Sequence, residues 1–219
     1  MGILKQLVTL KLHPSGWPVI ACMIMGGVIV GLTVGAPITL SLGFASLGIY
    51  LFRVQSPIIP IDKDVMLAPV SGKISNVSSL ATEVEWILPS QQYKKIGIRC
   101  DLLFAASLHA PISMKIISKK TVADASSRQI IITAETIDVA EIRTKSYVSE
   151  KFLLVFATAI PYWFPVCDVE INDTLVAGQN FGFLTFGGQV DLYVSNQFLP
   201  SRIDKQTCIA GETILARGV

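Results

Sequence analysis

The sequence predicts a mainly β (α+β) C-terminal domain behind an N-terminal apolar helical hairpin held in a membrane. Three observations predict this. Hydrophobic residues make up 51% of the 219 positions and charged residues only 16%, with a mean hydropathy of +0.57, above what an ordinary soluble domain carries. No residue from Trp17 to Phe52 is charged. Beyond Arg53 the chain becomes a series of short apolar runs separated by glycine-containing turns, as expected of many short strands.

The uncharged run is too long for one helix, because about 20 apolar residues cross a bilayer. Gly35 and Pro37, in "VGAPITLS", favour a turn within it. Two helices follow, over about 17–34 and 38–52. The second is only about 22 Å long at 1.5 Å per residue, which is short for a span. Lys5, Lys11, Arg53 and Lys63 flank the pair and the turn has no positive charge, so the positive-inside rule puts both ends on the cytoplasmic side. A cleaved signal peptide would have a shorter apolar core and a small-residue cleavage site; the second apolar run argues against it. A core hairpin of a soluble protein is the other alternative. Gly27, Gly31 and Gly35 are spaced for close helix contact. Trp17, Phe52 and Arg53, at the ends of the apolar stretch, are the candidate lipid-contacting residues.

Residues 1–53 are thus expected to form the membrane anchor and 54–219 the β-rich domain, joined by the Pro-rich "SPIIPIDKD". "QIIITAETIDVAEI" alternates in part and "QVDLYV" alternates cleanly, both as strands do. "KFLLVFATAI" is continuously apolar and fits a buried strand or a buried helix. A net charge of +2 is too small to argue for nucleic acid. The four cysteines, Cys22, Cys100, Cys167 and Cys208, form no CxxC pair, which disfavours a metal site and leaves buried free thiols as the expectation.

Six blocks in order carry a resemblance: "LHPSGWPVI", "YLFRVQSPIIP", "MLAPVSGKI", "LHAPISMKI", "VAGQNFGFLTFGGQVDLYV" and "IAGETILA". Together they resemble the short bacterial form of phosphatidylserine decarboxylase over almost the whole chain. The resemblance implies that family's fold, a bacterial inner-membrane location with the β domain on the cytoplasmic side, and membrane lipids as partners. It also implies a particular chemistry. A serine in a Gly-Ser pair, driven by an Asp–His–Ser triad, rearranges its own backbone and leaves a pyruvoyl group, which serves as electron sink for decarboxylation.

Matched block to block, the serine position is Gly188, the aspartate position Ser71 and the histidine position Ala106. No Gly-Ser, Gly-Thr or Gly-Cys pair occurs anywhere to take over the cleavage, and His109 aligns with the motif's arginine instead. Tyr162, Trp163 and Phe164 stand where the resemblance implies a basic stretch. They suit core, a membrane belt or a partner patch. The expectation is therefore a protein that is not an enzyme and has no pyruvoyl cofactor. Its role would be that of an accessory or structural subunit beside other membrane-protein subunits. The alternatives are a non-catalytic phospholipid-binding module and an active decarboxylase making phosphatidylethanolamine.

Overall fold

A computed structural model describes the chain from residue 11 to 218, apart from 13, 15, 55, 61–64, 79–92, 102–105, 124–127, 138–149, 159–164, 185 and 201–204. The chain divides into two compact units, Met1–Gln55 and Ser56–Val219.

The first unit is a helical hairpin. Helix α1 spans Gly16–Val34 and α2 spans Pro37–Leu51. α1 is long and apolar enough to cross a membrane, while α2 is shorter. The turn between them follows from two residues. Gly35 takes a positive φ of 78°, and the Ala36 N–H bonds back to the Gly31 carbonyl at 2.8 Å, closing α1 in a Schellman motif. Pro37 then opens α2, where its missing N–H costs nothing. The helices touch through the small residues expected to allow it. A Cβ on Gly27 would come within 2.7 Å of the Ser41 Cα, and one on Gly31 would overlap Pro37. Thr33, Thr39 and Ser46 donate their hydroxyls to carbonyls one turn back, which satisfies these polar groups without water.

The ends of the hairpin are tied together. Strands β1 (Lys11–Leu12) and β2 (Arg53–Val54) pair antiparallel, Leu12 against Arg53. Phe52, expected to meet lipid, is 1% exposed; its ring packs on Gly16, where a Cβ would lie 2.6 Å from the ring. That expectation is corrected: Phe52 closes the base of the hairpin. Trp17 is 62% exposed, and the Arg53 guanidinium lies 4.1 Å over the Tyr50 ring.

The second unit is all β among the described residues. Its strands are β3 (Val65–Leu67), β4 (Gly72–Ser78), β5 (Tyr93–Cys100), β6 (Ser107–His109), β7 (Met114–Ala123), β8 (Arg128–Thr136) and β9 (Lys151–Thr158). They continue with β10 (Val166–Cys167), β11 (Thr174–Leu175), β12 (Asn180–Phe183), β13 (Gly188–Ser195), β14 (Phe198–Pro200), β15 (Thr207–Cys208) and β16 (Ile214–Gly218). An eight-stranded antiparallel sheet runs β11-β7-β8-β9-β13-β5-β4-β15, and two three-stranded sheets run β10-β12-β6 and β14-β16-β3.

The large sheet is covered on both faces at its centre. One face carries Ile132, Leu154, Phe156, Val190, Leu192 and Ile98, all buried. On the other, Tyr93, Ile131, Leu153 and Tyr193 form a second cluster, with Val122 and Val155 against it. A strand buried on both faces has no polar side to alternate with. This is why "KFLLVFATAI" gave no period; its first eight residues form β9. Lys95 closes the second cluster, 3.1 Å from the Asp191 carboxylate and 5.4 Å above the Tyr193 ring. Burial alone would lower the Lys95 pKa, but the Tyr193 hydrogen bond and the Asp191 charge win and raise it.

Candidate functional site

The register of the large sheet draws together residues far apart in sequence. Gly188 begins β13 and pairs with Thr158 of β9 on one side and with Cys100 of β5 on the other. Next across, Gly72 lies against Cys100, where a Cβ on Gly72 would sit 3.2 Å from the Cys100 Cα. Gly72 in turn pairs with Cys208 of β15. Partners directly opposite share a face, so one row reads Thr158, Gly188, Cys100, Gly72, Cys208. It lies on the same face as Val190, Ile98 and Phe156.

The turn into this row is unusual backbone. Phe186 has φ 61°, Gly187 φ 79° and Gly188 φ 154°, and the Gly187 N–H bonds to the Leu184 carbonyl at 3.2 Å. L-residues rarely hold such angles. A Cβ on Gly188 would run into the Ala157 carbonyl oxygen and lie 3.0 Å from the Thr158 Cα.

The other two positions singled out by sequence border the row. Ser71 precedes Gly72, is 3% exposed, and its Oγ accepts the Ala210 N–H at 2.9 Å. It therefore fixes the β15–β16 turn onto β4. Ala106 is buried at 4%, and its carbonyl accepts the Leu184 N–H at 2.8 Å, which positions the segment leading into residues 186–188. Ser107, the next residue, is fully buried, with no hydrogen-bond partner for its Oγ among the described residues. His109 is buried at 1%, its N–H bonds to the Pro69 carbonyl at 2.8 Å, and it pairs with Asn180. Tyr162, Trp163 and Phe164 lie outside the described residues.

The thiols in the row are held neutral. Burial, with the Asp101 charge and the Cys208 thiol adding to it, pushes Cys100 up to about 12. Burial pushes Cys208 up to about 11, against hydrogen bonding to Gly72. The Cys208 Sγ donates to the Gly72 carbonyl at 3.5 Å. Neutral thiols at these positions are poor nucleophiles and poor metal ligands, and no cluster of three or more His, Cys, Asp or Glu residues suited to a metal occurs among the described residues. Sequence reasoning missed Cys100 as a neighbour of Gly188, since only cross-strand register brings the two together. Cys22, expected buried, is exposed on α1, and Cys167 is partly buried.

Residues 44–216 match the family model described as phosphatidylserine decarboxylase. A curated relative named phosphatidylserine decarboxylase proenzyme, from Wolbachia sp. subsp. Brugia malayi (strain TRS), is 29% identical over 178 residues, covering 76% of this chain and 74% of that protein. These matches overturn one expectation. The substitutions at residues 71, 106 and 188 led to the view that the chain is not an enzyme, yet the matched family is catalytic and the relative is a named proenzyme. What the substitutions do establish is local. Gly188 has no side-chain atom from which a pyruvoyl group can be built, and its backbone leaves no room for a Cβ. The residues at this position therefore do not fit that group.

Proposed function

Because the chain belongs to the phosphatidylserine decarboxylase family, we propose that it handles phosphatidylserine-class phospholipids from a position anchored in the membrane by its helix pair. The observation that carries this reading is the family match over residues 44–216 on a β domain whose turns and buried core surround residue 188. The apolar hairpin supports the anchoring. Leu32, Val34, Ile38 and Leu42 are each more than 60% exposed, and such faces meet lipid tails or the helices of other membrane subunits.

Within this reading, residue 188 forms no pyruvoyl group, and the bond between Gly187 and Gly188 stays intact. The supporting observation is the missing side chain at 188 together with its crowded, positive-φ backbone. Intact mass of the purified protein should then show a single chain of 23.7 kDa. Two fragments divided at residue 188 would refute it.

Phospholipid handling is tested by reconstituting the full chain in mixed vesicles, re-isolating it and identifying the lipids that stay bound. Serine-headgroup lipids should be enriched over choline lipids; equal retention of both would sink the proposal. Carbon dioxide released from carboxyl-labelled phosphatidylserine reads turnover in the same sample, separately from binding.

A further inference from the structure

The β unit carries exposed apolar side chains that neither the core nor the region around residue 188 uses. Ile58 is 83% exposed, Val176 53%, Ile209 45% and Ile59 44%. These residues come from three separate segments, and the structure shows how they meet. The connector at 57–59 lies over two tight turns. A Cβ on Gly178 would sit 2.6 Å from the Ile59 side chain, and one on Gly211 would sit 2.7 Å from Pro57 and 3.7 Å from the Gly178 Cα. The Ile58 N–H donates to the Glu212 carboxylate at 3.0 Å, which pins the connector to the second turn.

The turns themselves are firmly built. The Gln179 N–H bonds to the Val176 carbonyl at 2.9 Å, and the Thr213 N–H bonds to the Ile209 carbonyl at 3.0 Å. Gly178 and Gly211, at φ 76° and 72°, give the positive angles these turns need. The apolar side chains are therefore displayed on a shaped surface. Exposed apolar side chains gathered on adjoining turns in this way mark an interaction site.

The geometry points to a lipid bilayer as the occupant: Ile58, Ile59, Val176 and Ile209 form a shallow membrane-contact surface that rests the β unit on the bilayer. Chain continuity favours lipid over a protein partner. Ile58 follows Leu51, the end of α2, by seven residues, and such a segment reaches at most about 25 Å. The patch is thus tethered to the helix pair, and binding at the boundary between headgroups and acyl chains grows with the apolar area buried there. The inference rests on the reading of the helix pair as membrane-inserted.

The test uses the full native chain in phosphatidylcholine–phosphatidylglycerol vesicles doped with a phosphatidylcholine bearing a diazirine in its acyl chain. After irradiation and digestion, mass spectrometry locates the labelled peptides. Label is expected on the helices and also on segments 57–59, 176–179 and 209–212. Label on the helices alone would overturn the contact surface while leaving the anchor standing; no label on the helices would overturn the anchor and the surface with it. A second variant, Ile58→Asp with Ile209→Asp, changes two exposed side chains. It should cut labelling of the three segments several-fold without changing that of the helices, and unchanged labelling of the segments would count against the proposal.

Discussion

Replacing Gly188 with serine is the perturbation that bears most directly on the backbone around residue 188. The position has φ 154°, and non-glycine residues held in such regions cost about 1–3 kcal/mol. The new Cβ would also collide with the Ala157 carbonyl oxygen and press within 3.0 Å of the Thr158 Cα. Both obstacles are backbone atoms of a central strand, so relief requires β9 and β13 to part or the 186–188 turn to refold. The total cost is expected at about 3 kcal/mol or more, in the upper part of what single substitutions do. For a domain of this size about 1 kcal/mol corresponds to roughly 2–4 °C, so the melting temperature should fall by roughly 6–12 °C. The assay is thermal unfolding of the detergent-solubilised full chain, followed by the far-ultraviolet signal of the strands. Gly97→Ala is the control: it stands in the neighbouring strand β5, has ordinary φ, and its Cβ would meet the Ser75 hydroxyl at 2.8 Å and the Asp191 carboxylate at 3.1 Å, both side-chain atoms that can shift. A Gly188→Ser protein melting no lower than Gly97→Ala would refute the reasoning.

Three further outcomes are expected. Phe156 is fully buried and meets Phe181 edge-on at 5.8 Å, so Phe156→Ala should cost about 3–5 kcal/mol, measured by urea unfolding; a loss under about 1 kcal/mol would contradict the packing described. Gly31→Leu should force the helices apart, because its Cβ meets Pro37 backbone, whereas Gly43→Leu enters open space; spin labels on Leu32 and Leu42 should report a longer distance for the first and the parental distance for the second. Raised thiol pKa values make the fold sensitive to alkali. Cys100 and Cys208 stay protonated in the folded chain up to about 12 and about 11, while thiols of the unfolded chain ionise around their ordinary 9.0. The unfolded state therefore binds fewer protons above that point, and stability should be unaffected below about pH 8 and fall from about pH 9 towards 11, by up to about 1.4 kcal/mol per pH unit for each thiol. A flat stability profile across that window would contradict the burial of both thiols.

The helical hairpin was legible because its signal is local. An uncharged run broken by Gly35 and Pro37 sets both helix ends, and the observed Gly16–Val34 and Pro37–Leu51 differ from the expected spans by no more than one residue at any end. Strand β13 was legible from the alternation in "QVDLYV". β9 was ambiguous because burial on both faces erases its period. What the sequence could not show is pairing. Cys100 meets Gly188 only through the β5–β13 register, and no local pattern encodes which strands adjoin. Phe52 was misplaced for a related reason. An aromatic residue at the end of an apolar stretch suits the membrane boundary, but the space left by Gly16 across the hairpin draws its ring inward. The step from three substituted positions to a protein that is not an enzyme failed differently. It inferred an activity from side chains at one location, while the matched family and its named proenzyme relative are catalytic.

The central claim is that this chain engages a serine-headgroup phospholipid. Calorimetric titration of the full chain in nanodiscs with water-soluble, short-tailed phosphatidylserine tests it most directly, with the phosphatidylcholine of the same tail length as reference. Saturable heat for the serine lipid and none for the choline lipid is the predicted result, and indistinguishable titrations would contradict it.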